Sequence, residues 1–104
     1  NDINAVGWYR NNSGSTTHTV GTKAANELGI FDMTGNVWEW VWDIYGDYPG
    51  DAQTDPHGAT SGSNRVYRGG SWGSSAIHCT VSNRDNHNAP YTNYYIGFRC
   101  IRIF

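Results

Sequence analysis

Two cysteines, Cys79 and Cys100, four histidines, His18, His57, His78 and His87, and one carboxylate among apolar neighbours, Glu39, are the side chains whose types could carry chemistry. Paired thiolates are soft ligands for Cu(I), and a lone thiol becomes a nucleophile only in a matched setting of histidine and an orienting group. No Cys/His/Asn signature accompanies either cysteine, so both read as packing residues, as two thiols or as one disulfide. His78 and His87 read as contact residues rather than metal ligands. Glu39 sits between Trp38 and Trp40, where a carboxylate needs a backbone amide, an arginine or a metal ion as partner.

The elements that must position these groups are short. With 13 Gly, 5 Trp and 7 Tyr against 15% charged residues, the chain reads as loops held on large aromatic anchors. In Ile30 to Trp42 (IFDMTGNVWEWVW), Trp38, Trp40 and Trp42 alternate with Val37, Glu39 and Val41. This period of two predicts a strand with three indoles on one face, in the core. Lys23 to Gly29 (KAANELG) predicts a short helical turn, and Asn1 to Thr19 irregular structure around Trp8 and Tyr9. Asp43 to Asn64 predicts a surface connection with turns at Pro49-Gly50, Asp55-Pro56 and Ser61-Gly62. Arg65 to Trp72 (RVYRGGSW) predicts a strand entering a Gly-Gly turn, and Ile96 to Phe104 (IGFRCIRIF) a terminal strand with one buried face.

The bulk numbers bound the answer further. The 104 residues suit a single domain, 1–104. Net charge is −2 and the seven Lys/Arg are scattered, which argues against nucleic acid as a partner. No apolar stretch approaches the roughly 18 to 20 residues that span a bilayer, so no membrane insertion by this chain is expected. The sequence begins at Asn1 with no basic start or apolar core of a signal peptide. Localisation is left open, surface display included, with any targeting signal expected outside the sequence.

Four blocks in order, VGTKAANELGIFDMTGNVWEW (Val20 to Trp40), Asp55-Pro56, RVYRGGSW (Arg65 to Trp72) and IGFRC (Ile96 to Cys100), resemble the formylglycine-generating-enzyme/sulfatase-modifying-factor family. The resemblance covers most of the chain from Val20 onward, and implies an α+β, mostly irregular, C-type-lectin-like fold with short antiparallel strands and little helix. It also implies that this is the C-terminal part of such a domain. Enzymes of the family bind copper on two cysteines after the GGS block. Here the first of those positions is Ser74, and the second falls on Cys79 in only one of two alignments. Related sulfoxide synthases use HxxxHxE iron ligands, a pattern that none of the four histidines fits. Near GNVWEW, family members hold a structural calcium, which implies Asn36 and Glu39 as its ligands, with turn capping as the alternative. No other cofactor is implied.

Gly73 to Tyr95 (GSSAIHCTVSNRDNHNAPYTNYY) stands apart from its flanking blocks, in a vocabulary of Ser, Asn, Tyr, His, Asp, Gly and Thr. Tyr offers rigid amphipathic contact at low entropic cost, and Ser, Gly and Asn offer adaptable hydrogen bonds. The interval resembles the variable region of proteins diversified by retroelements that mutate adenines, with the frame at Arg68 to Trp72, Cys79, Asn83-Arg84 and Ile96 to Arg99. Mutating the adenines of an Asn codon never yields Lys, Glu, Gln, Met or Trp. The interval contains none of these, whereas residues 1–72 hold ten, a frequency that would place about three in 23 positions. The expected diversified, ligand-contacting positions are Gly73, Ser74, Ser75, Ile77, His78, Asp85, Asn86, His87, Tyr91, Asn93, Tyr94 and Tyr95. The function implied is non-catalytic binding of a ligand, a protein or cell-surface target. The alternatives are a copper-dependent oxidase or a fragment of one, a metal-dependent lectin, and an ordinary polar loop.

Overall fold

The GNVWEW block leads into an inner strand of the sheet. In the computed structural model, which describes residues 2–47, 50, 52–53, 58–88 and 90–102, strand β1 (Trp38–Ile44) lies between β2 (Asn64–Arg68) and β4 (Ile96–Gly97). Strand β3 (Arg84–Asn88) completes the order β3-β2-β1-β4. The β1–β2 and β2–β3 pairs are antiparallel, and β4 joins β1 in parallel, so the sheet is mixed. Among the described residues, helix is confined to α1 (Ile3–Val6), which Asp2 caps by accepting from Asn4 N at 2.9 Å, and a 3-10 turn at Ala76–Cys79. No helix among the described residues is long and apolar enough to cross a membrane.

Three local expectations need correction. Lys23 to Gly29 is not helical, because the Asn26 side chain accepts from Leu28 N and Ile30 N, both at 3.0 Å, and holds a turn instead. The terminal strand is formed only at Ile96–Gly97, with residues 98–102 irregular. Ile103 and Phe104 lie outside the described residues, as do Pro49, the Asp55-Pro56 turn and His57. The three indoles do not share the core: Trp38 is buried, Trp40 half-buried, and Trp42 is 83% exposed. Trp40 faces Tyr67 while Ile44 faces Arg65, four steps on β1 against two on β2, so the pairing is irregular at Trp42 and no residue of β2 is paired opposite it.

What is buried is aromatic and polar together. Tyr9, Trp38, Val66, Tyr67 and Cys79 pack with Ser13, Asp32, Asn36, Ser71 and Ser74. The Tyr67 ring stands edge-on to two indoles, 5.0 Å from Trp38 and 5.4 Å from Trp40. After β2 the chain turns through Gly69 (φ 98°) and Gly70 (φ 74°), and a Cβ on Gly70 would lie 2.4 Å from the Cys79 sulfur. The two sulfurs are free: Cys79 is buried, with burial pushing its thiol pKa up, and Cys100 is exposed. Arg84 and Arg99, both within the frame, are donors to backbone carbonyls. Arg84 donates to Gly46 O and lies 4.8 Å over the Tyr45 ring, and Arg99 donates to Phe31 O at 2.9 Å and Asp32 O at 2.8 Å.

Candidate functional site

The middle of the Gly73 to Tyr95 interval is a strand, although Arg-Asp-Asn-His-Asn has little intrinsic strand preference; pairing with β2 along its whole length overrides propensity. Alternation then divides its side chains between the two faces. Arg84 and Asn86 serve the framework: Asn86 Oδ1 accepts from Asn64 Nδ2 at 2.6 Å. Asp85 and His87 lie on the other face and are exposed, opposite Tyr67 and Arg65 respectively.

The chain after β3 folds back over that face. Tyr91 N donates to Asn88 O at 3.0 Å, and the Tyr91 ring stacks on His87 with centroids 3.8 Å apart. The hydroxyls of Tyr91 and Tyr95 are 2.6 Å apart, and Asn93 Nδ2 donates to Tyr91 Oη at 2.8 Å. Tyr95 O accepts from Trp38 N at 2.7 Å, anchoring the loop to β1. Tyr94 points out at 89% exposure, and its carbonyl accepts from Trp72 Nε1 at 3.4 Å. The Asp85 carboxylate accepts from Asn86 N at 2.8 Å, and Asp85 stands directly opposite Tyr67 in the β2–β3 pair.

Burial, then the charge of Asp85, pushes the Tyr67 phenol up to about 12 from the ordinary 10. The folded state holds this proton more tightly than the unfolded chain. The stabilisation is therefore complete below pH about 10 and is lost as the pH rises towards 12. In a spectrophotometric alkaline titration, one tyrosine should ionise well after the exposed ones, and that late step should vanish in Tyr67→Phe. Ionisation of all seven tyrosines together would contradict the burial assigned to it.

The earlier part of the interval behaves differently. Ile77 is 69% exposed and His78 is exposed, with Nδ1 3.0 Å from the Ser75 hydroxyl. Gly73 has open space around it, and its carbonyl accepts from Arg10 Nε at 3.1 Å. Ser74 is not a contact residue. It is 8% exposed, its hydroxyl accepts from Ser71 N at 3.0 Å, and its carbonyl accepts from Arg10 N at 2.9 Å. Asn86 likewise belongs to the framework face. The structure thus gathers Asp85, His87, Tyr91, Asn93 and Tyr95 into one surface, places Tyr94 at its margin, and sets Ser75, Ile77 and His78 on the 3-10 segment. Sequence reading missed Trp42, Arg65 and Tyr67 of the same sheet face. The signal was the parity of the strands, unusable without their register.

Asn36 and Glu39 do not fit together as calcium ligands in this arrangement. Asn36 Oδ1 accepts from His18 N at 2.9 Å while its Nδ2 donates to His18 O at 3.0 Å. Both Glu39 oxygens are held by Arg99, Nε to Oε2 at 2.5 Å and Nη2 to Oε1 at 2.6 Å. The pair pushes the Arg99 pKa up, its hydrogen bonds to Glu39 being the largest cause. Millimolar calcium should leave the amide resonances of Asn36 and Glu39 unmoved and the melting temperature unchanged. Saturable shifts at both residues would show that the ion displaces Arg99.

Residues 2–104 match the family described as the sulfatase-modifying factor enzyme 1-like domain. Treponema denticola variable protein 1 superposes with a TM-score of 0.87 at 44% identity, over 92% of this chain and 35% of that one. The Streptomyces coelicolor formylglycine-generating enzyme is 33% identical over 90 residues, 82% of this chain and 29% of the enzyme. A Chlamydia caviae protein, serine/threonine-protein kinase pkn1, is 39% identical over 92 residues, 85% of this chain and 15% of its own length. The chain thus spans between about a seventh and about a third of the length of these relatives.

Proposed function

The chain belongs to the sulfatase-modifying-factor family and has its C-type-lectin-like fold, and from that premise we propose that it is a ligand-binding member that displays exchangeable side chains and performs no chemistry. The observation that carries the reading is the division of labour within the variable interval. Asp85, His87, Tyr91 and Tyr94 face outward, while the backbone beneath them is fixed by residues outside the variable set: Trp38 N to Tyr95 O, Trp72 Nε1 to Tyr94 O and the whole β2–β3 ladder. Side chains can change there while the hydrogen bonds that hold the loop stay in place. The variable protein from Treponema denticola supports the same branch of the family.

The oxidase reading needs a thiolate pair. Ser74 supplies a hydroxyl already committed to Ser71, and burial disfavours the thiolate of Cys79. The partner on this reading is a protein or a cell-surface target, and the chain works where such targets are accessible. Sequencing the genomic neighbourhood tests the reading. A second copy of the stretch coding for Gly73 to Arg99, differing only at adenines and near a reverse transcriptase gene, is expected. Its absence, together with copper-dependent oxygen consumption on a cysteine peptide, would overturn the proposal in favour of the enzyme.

A further inference from the structure

The displayed face carries two charged groups of opposite fate. Arg65 is turned away from the loop, its guanidinium 4.7 Å over the Trp42 ring and its Nη1 donating to Trp42 O. Asp85 is exposed and has no cationic partner among the described residues. The other charged residue of the interval, Arg84, belongs to the opposite face. Phenols share the face with the Asp85 carboxylate: Tyr67 stands opposite it in the β2–β3 ladder, Tyr91 stacks on His87, and the hydroxyls of Tyr91 and Tyr95 are 2.6 Å apart, with the Asp85 charge acting on both Tyr67 and Tyr95. An exposed carboxylate with no ion pair among the described residues, beside phenolic oxygens and aromatic faces, is chemistry that accepts a cation.

We propose that this face seats a cationic side chain, a lysine ammonium or arginine guanidinium presented by a protein target, on Asp85 beside the phenols of Tyr91 and Tyr95. The inference rests on the display reading and adds its chemistry. It also gives framework residues a part in recognition. Tyr67, edge-on to two indoles, backs the position opposite it on β3, which Asp85 occupies, and exposed Trp42 with its stacked arginine continues the contact surface past the variable positions. Charge complementarity sets the kind of partner, since a neutral or acidic group at Asp85 would leave the carboxylate desolvated and unpaired.

Panning a random peptide library on phage against the immobilised chain tests this. Peptides enriched in Lys and Arg are expected, each binding about tenfold more weakly or worse to Asp85→Asn, which removes the charge at an exposed position and keeps an acceptor for Asn86 N, and hence the fold. Basic peptides indifferent to Asp85→Asn would overturn the inference. Peptides without Lys or Arg that are lost with Tyr91→Ala would also overturn it while leaving the display reading intact. No recovered peptide, or peptides indifferent to both substitutions, would overturn inference and reading together.

Discussion

Gly35→Ala should destabilise the fold by about 3 kcal/mol or more, a fall in melting temperature of roughly 15 °C. Gly35 has φ 78°, a conformation that costs an L-residue about 1–2 kcal/mol. A Cβ there would also lie 2.3 Å from Trp8 O and 2.8 Å from Trp8 N, where Trp8 and Gly35 form a parallel bridge. The clash falls on backbone, which cannot swing aside as a flexible side chain would. Relief would strain two adjoining bonds, Gly35 N to Gly69 O and Asn36 N to Trp8 O, both 2.7 Å. Gly14→Ala is the matched control, with φ 68° and nothing within 4 Å of its Cβ, so only about 1 kcal/mol is expected. Thermal unfolding of the two variants should separate clearly. Equal losses would show that Trp8 does not pack against the GNVWEW turn as described.

Arg99→Ala should cost about 2 kcal/mol, read from denaturant unfolding. The guanidinium ties Glu39 on β1 to the carbonyls of Phe31 and Asp32, joining the strand to the loop before it. Arg99→Lys should recover only part of the loss, because an ammonium cannot reproduce the two-pronged bond while also reaching two carbonyls. Glu39→Ala combined with Arg99→Ala should cost less than the two losses added, since each alone strands the other's partner. Additive losses would mean that the pair contributes nothing as a pair.

Much of the framework was legible because its signals are local. Period two marked β1, Gly69-Gly70 marked the turn at positive φ that ends β2, and Glu39 called for a backbone amide, an arginine or a metal ion, of which the structure supplies Arg99. The failures are non-local or come from side chains that compete with the backbone. Alternation alone placed Trp42 in the core, but the irregular pairing with β2 between Trp40 and Ile44 leaves no residue paired opposite Trp42, which is exposed. A helical turn at Lys23 to Gly29 was expected from its Ala, Glu and Leu residues, yet the Asn26 carboxamide captured two backbone amides. At the site, composition marked the interval, but it could not tell Asp85 from Asn86 or reveal that Ser74 is buried. Both depend on which face of a strand or turn meets the core, and hence on the β2–β3 register and the Ser71–Ser74 bonds.

The display account makes its most direct claim about which positions can change. Two libraries would test it, one randomised at Ile77, His78, Asp85, His87, Tyr91 and Tyr94, the other at buried Ser13, Asp32, Asn36, Tyr67, Ser71 and Ser74, each sorted for protease resistance and then for capture of proteins that the parent chain ignores. The account predicts that most members of the first library stay resistant and yield new binders, while the second loses its folded fraction and yields none. Equal loss of folding in both libraries, or a well-folded first library that yields no binder, would contradict it.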